Sequence, residues 1–183
     1  MVKTDIEIQF NKGKLLTYSL GASAFFFAGV FFAYAGLVTK NHFFIRLFLL
    51  FLGIATISFF GLLLLIILPK ALGNKAGLII TDKGLYDYSS AISTGFITWS
   101  EIKKTSHSYL GSNIFMLIMV KKPEKYIARQ KWLIKRIAMR LNYKMSGTPI
   151  HILVSFLDTD IHTLYSLIKK KRYQKVENKE TEN

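Results

Sequence analysis

Residues 47–68 read LFLLFLGIATISFFGLLLLIIL, and residues 15–38 read LLTYSLGASAFFFAGVFFAYAGLV. Neither stretch holds a charged side chain: the uncharged intervals run from Lys14 to Lys40 and from Arg46 to Lys70. A helix needs about 20 apolar residues to cross the hydrocarbon core of a bilayer, and both stretches have them. A core helix of a soluble protein rarely runs so far without a charge. A cleaved signal peptide has a shorter apolar core and is not followed at once by a second span. The sequence therefore predicts two transmembrane helices, Leu15–Val38 and Leu47–Leu68, joined by a short loop, Thr39–Arg46.

Working outward from the hairpin, the first span is rich in small residues, among them Gly21, Ala24, Ala28, Gly29, Ala33 and Gly36, and the second carries Gly53 and Gly61. Small residues let helix backbones approach closely in lipid. The covalently attached second span is the nearest partner for them, ahead of another copy of the chain. Neither span contains an ionisable group deeper than Tyr, which argues against a transport or proton path.

The 183 residues carry a formal net charge of +14. Of the 25 Lys and Arg residues, three precede the first span (Lys3, Lys12, Lys14), two lie between the spans (Lys40, Arg46) and 20 follow the second. Near the spans, Lys70, Lys75 and Lys83 add to the three basic residues of the tail against two in the loop, so the positive-inside rule puts both termini in the cytoplasm, with residues 1–14 as a cytoplasmic tail and the short loop outside. A basic domain tied to a membrane faces anionic headgroups most simply, and tethering disfavours nucleic acid. The chain has no cysteine, which excludes disulfides, thiol catalysis and Cys-based metal sites.

After Pro69, expected to end the second helix and the hairpin segment 15–69, and the turn at Gly73-Asn74, the pattern changes to strands. Gly77–Thr81 and Leu85–Ser89 flank a tight turn at Asp82-Lys83-Gly84, and Gly95–Trp99 and Ile102–Tyr109 follow. Ile114–Val120 is a continuous apolar run and so a central strand, and Pro149–Phe156 is another. Ile161, Leu164, Tyr165 and Ile168 then form one helical stripe, capped by Asp158 or Thr159, with Lys169–Arg172 in its last turn. From Lys175 on the chain is polar, and 176–183 reads as a disordered tail.

The run Leu78-Ile79-Ile80-Thr81-Asp82-Lys83-Gly84-Leu85, followed by Ile97-Thr98-Trp99-Ser100-Glu101-Ile102, resembles the start of bacterial pleckstrin-homology (PH)-like domains, in which a T-D-x-G hairpin precedes an I-x-W-x-x-I strand. With the late Gly147-Thr148-Pro149-Ile150 strand, the layout is similar to a group of uncharacterised bacterial two-span membrane proteins. The resemblance implies a membrane helical hairpin followed by an α+β PH-like antiparallel barrel with a C-terminal helix, residues 74–175, at a bacterial plasma membrane. Its motifs are structural and imply no reaction.

Within that domain the segment Pro123–Met145 interrupts the strands. Pro123 suits a first helical turn and Gly147 a stop. On one continuous helix Ile127, Ile134, Ile137, Ala138, Leu141 and Met145 share a face, and Trp132, Met139 and Tyr143 cluster on the other side. The Ile/Leu face can cover the barrel and leave a solvated basic face. The helix can also lie in the bilayer interface, with Trp132 and Tyr143 at the headgroup level and its Lys and Arg on anionic headgroups; the two readings are compatible, since a helix with two apolar patches can pack on the barrel and touch the bilayer. The candidate lipid-contact residues are Lys122, Lys125, Arg129, Lys131, Trp132, Lys135, Arg136, Arg140, Tyr143 and Lys144.

Catalytic patterns are missing from the sequence. His42, His107, His151 and His162 fall on different elements, and Asp82, Asp87, Glu101 and Asp158 sit at turns and strand ends. A pocket lined by Asp87, Glu101 and His107 would revive an enzyme. The expectation is a non-catalytic, cofactor-free and metal-free binding module that recognises anionic lipid, another membrane protein or itself. A bacteriocin-immunity or envelope-stress protein is the alternative, with a lipid-modifying enzyme behind it.

Overall fold

The computed structural model describes residues 5–40 and 42–180, with side chains as far as residue 172. Lys3 of the expected tail and residues 181–183 of the expected C-terminal tail lie outside the described residues. Two compact units result: one is residues 11–74, and the other joins the N-terminal ten residues to everything after residue 74.

The first unit is the hairpin. Helix α1 spans Lys12–Val38, and Asn11 caps it by accepting a hydrogen bond from the Lys14 backbone N–H at 2.9 Å. Helix α2 spans Phe43–Leu72. Both are long and apolar enough to cross a membrane. They bury little of themselves: Phe27, Phe31, Phe51 and Leu65 are each about two thirds exposed or more. An outer surface of that kind is stable in lipid and costly in water.

Helix α2 departs from its expected bounds at both ends. It starts before Arg46, which is thus a first-turn residue rather than part of the loop, its N–H donating to the His42 carbonyl. It also passes through Pro69 to Leu72, because a proline in the last turn removes one donated bond and leaves its own carbonyl free to accept from Gly73 N–H at 3.0 Å. The small residues are used between the two spans, where a Cβ on Gly53 would lie 2.5 Å from the Ala33 backbone nitrogen, and one on Gly36 2.9 Å from that of Leu50. Phe25 stacks on Phe60 with ring centroids 4.8 Å apart.

The second unit holds two antiparallel sheets. Strands β1 (Ile6–Ile8), β2 (Leu78–Ile80), β3 (Gly84–Asp87) and β4 (Gly95–Thr98) form one, in that order. Strands β5 (Ile102–Leu110), β6 (Asn113–Val120) and β7 (Ile150–Leu153) form the other, with β6 in the middle as its unbroken apolar run predicts. The Trp99 indole N–H donates to the Thr81 carbonyl at 2.9 Å, and a Cβ on Gly84 would collide with the Ile97 carbonyl, so the T-D-x-G hairpin and the Trp strand close on each other. Helix α5 begins at Ile161 and runs to Glu180, through residues expected to be a tail. Asp160, rather than Asp158 or Thr159, caps it by accepting from the His162 and Thr163 N–H groups. Ile161, Leu164 and Ile168 are buried, while Tyr165 is half exposed.

The expected N-terminal tail contributes a strand to the sheet. Ile6, Glu7 and Ile8 pair with Ile80, Ile79 and Leu78, and Phe10 bridges to Leu157. Ile8 and Phe10 are buried. Two isoleucines and a phenylalanine at alternate positions (6, 8 and 10) give this strand one apolar face, too short a signal to distinguish from a tail without its partner. The hairpin is thereby inserted in the connection between two neighbouring antiparallel strands. Both chain connections to it leave from one end of the four-stranded sheet, the end where Leu78 pairs with Asp87 and Asp87 with Gly95.

Candidate functional site

The insert is two helices, not one. Helix α3 is Pro123–Ala128 and helix α4 is Leu133–Ser146. The break follows from tertiary bonds. Tyr126 is fully buried and its hydroxyl donates a short hydrogen bond to the Glu101 carboxylate. Lys125 pairs with the same carboxylate at 2.5 Å, and Thr98 donates to it at 3.1 Å. The Arg129 guanidinium stacks over the Tyr126 ring and donates to the Thr94 and Phe96 carbonyls at 2.5 and 2.6 Å. Arg136 reaches back to the Gln130 carbonyl at 2.6 Å and fixes the turn between the helices. The sequence around the break contains no Gly or Pro to announce it.

Charge in this region follows from the bonds. The Lys125 ammonium and then the Tyr126 hydroxyl hold the Glu101 carboxyl down to about 2. Burial, and then the hydrogen bond to Glu101, pushes the Tyr126 phenol far above its ordinary value. Burial draws Arg129 and Lys135 down, and in Lys135 the Asp87 carboxylate opposes the effect. Asp87 is itself buried and accepts from Ser89 N–H and Oγ and from Thr94 N–H.

Helix α4 turns the expected packing around. Ile134, Ile137, Leu141 and Met145 do share a face, but that face points outward, 81, 48, 54 and 80 % exposed. Trp132 and Leu133, at the helix start, are exposed as well. The packed side is the thin one, centred on Met139, which is fully buried, with Lys135, Ala138, Asn142 and Ser146 half-buried around it. The Ser146 hydroxyl lies 2.7 Å from His151 Nε2 on β7, and burial pushes that imidazole below its usual value. Gly147, at φ 74°, ends the helix and lets its N–H reach the Tyr143 carbonyl, as its position predicts.

The candidate residues therefore separate. Lys125, Arg129 and Arg136 are bonded within the fold, and Lys135 lies on the packed side of α4. Lys122, Lys131, Trp132, Arg140, Tyr143 and Lys144 are exposed. Ile127, assigned to the same face as Ile134, belongs to α3 and is buried.

Asp87, Glu101 and His107 do not come together. Asp87 pairs with Gly95 at one end of its sheet, Glu101 lies beyond the other end, and His107 is exposed on β5 beside Tyr109. Among the described residues no three His, Asp or Glu side chains are grouped to hold a metal ion. The chain matches no protein-family profile and no curated protein, and no solved structure matches it.

Proposed function

We propose that this protein is a membrane-anchored, non-catalytic binding module of PH-like architecture, whose helix α4 lies in the bilayer interface and meets anionic headgroups. The observation that carries this reading is the outward apolar face of α4. A solvated surface helix presents polar residues outward, whereas here Ile134, Ile137, Leu141 and Met145 face out and Arg140 and Lys144 border them. An apolar stripe flanked by cations, with a Trp at its end, is the composition of interfacial helices.

The PH-like reading rests on four and three antiparallel strands closed by one C-terminal helix. In this reading the hairpin is an insertion after the first strand, the membrane is a bacterial plasma membrane and both termini are cytoplasmic.

The test uses Trp132, which is 76 % exposed, against Trp99, which is 4 % exposed. In full-length protein reconstituted into nanodiscs containing anionic lipid, lipids brominated near the headgroup should quench Trp132 emission, and iodide in the water should not. Iodide quenching as strong as that of a free indole would refute the proposal.

A further inference from the structure

The end of the four-stranded sheet away from the hairpin connections gathers cations from four parts of the chain. The Asp82-Lys83 turn joins β2 to β3 there, and Gly84 pairs with Thr98, which leads into Trp99–Glu101. Strand β5 starts here with Lys103 and Lys104, and β6 ends here, so that Lys121 N–H donates to the Glu101 carbonyl at 2.9 Å and Lys122 follows. Helix α5 sets out from the opposite end, where Asp158 N–H donates to the Gln9 carbonyl. Some ten residues later, about 15 Å on at 1.5 Å per residue, it arrives with Lys171 on Asp82 at 2.9 Å and Arg172 on the Lys103 carbonyl at 3.1 Å.

Lys83, Lys103, Lys104, Lys121 and Lys122 are all exposed. Among the described side chains the acidic groups at this end are Asp82, Glu101 and Glu124, and the first two are held by Lys171 and Lys125. Packing so many like charges together raises a positive potential that an anionic partner relieves.

We propose that this distal surface docks an acidic segment of a partner protein. Among the described side chains none of the exposed large apolar ones belongs to it, so those residues offer neither the wedge that enters lipid nor the aromatic platform on which nucleic-acid bases stack. The inference is independent of the role of α4.

The experiment takes the full-length protein in nanodiscs of zwitterionic lipid and a fluorescent Glu-rich peptide, read by anisotropy. Replacing Lys103, Lys104 and Lys122 with Glu should weaken binding about tenfold or more, while the same change in net charge on α4 and the link before it (Lys131, Arg140 and Lys144 to Glu) should alter it less than about twofold. A photo-crosslinking peptide on the unaltered chain should label 103–104 or 121–122, which keeps the test valid if a variant misfolds. Equal losses from both triple variants, labelling of α4, no binding by the parent, or tighter binding of an oligothymidylate of equal charge would each overturn the proposal.

Discussion

Truncating the outward face of α4 separates a membrane contact from a core contact. Ile134→Ala with Leu141→Ala removes about three carbons at each site, worth about 0.8 kcal/mol apiece when fully buried. Scaled by exposures of 81 and 54 %, the pair has about 3 kcal/mol at stake in pure hydrocarbon. At the boundary between headgroups and acyl chains about half of that applies, so partitioning should fall about 10- to 20-fold. The assay is sedimentation with anionic vesicles of a chain in which residues 11–74 are replaced by a short Gly/Ser linker. That chain keeps β1 beside β2, which a fragment starting at residue 74 does not, and its core is its own: Leu78, Ile80, Ile97, Ile118, Ile150 and Leu164 are all fully buried. Thermal stability should stay within about 0.5 kcal/mol, as for surface sites. Unchanged partitioning would refute the reasoning. So would a stability loss of about 2 kcal/mol or more, which would mean that this face is packed in the fold.

Four further outcomes are expected. Met139→Ala, on the packed side of α4, should cost about 2–5 kcal/mol in denaturant unfolding of the same linker chain, in contrast to Leu141→Ala. Glu101→Gln should destabilise that chain by about 1–2 kcal/mol, the Lys125 share being screened because that side chain is 57 % exposed. Because the Glu101 pKa is lowered on folding, its contribution is present above the ordinary value of 4.5 and fades as pH falls toward about 2; pH-dependent melting of parent and Gln variant should converge over that window. Ile8→Asp should expose β2 to proteolysis, since Ile8 is buried against it, whereas a dispensable tail would tolerate the change. Gly53→Leu should force α1 and α2 apart and abolish a disulfide engineered between positions 36 and 50 in full-length protein.

How much of this could be read in advance depended on the range of the interaction. A membrane span is set by the hydropathy of its own residues, so both helices were legible to within a turn or so. Their ends moved because Pro69 and Arg46 are tolerated in terminal turns, where backbone bonds are already incomplete. The strands from Leu78 to Val120 were legible from alternation and turn residues, and the end of α4 from Gly147. Strand β1 was not, because three residues carry no recognisable period until β2 lies beside them. The insert shows the same division. Helical spacing alone determined that Ile134, Ile137, Leu141 and Met145 share a face, since that is a matter of 3.6 residues per turn. It could not determine which way the face points. The tertiary structure decided that, by giving the space against β7 to the thin side around Met139, and by binding Lys125, Tyr126 and Arg129 into the fold so that α3 and α4 part company. The distal basic surface is likewise a product of folding: Lys83, Lys103, Lys122 and Arg172 are scattered over 90 residues of sequence, and only strand register and the length of α5 bring them to one end.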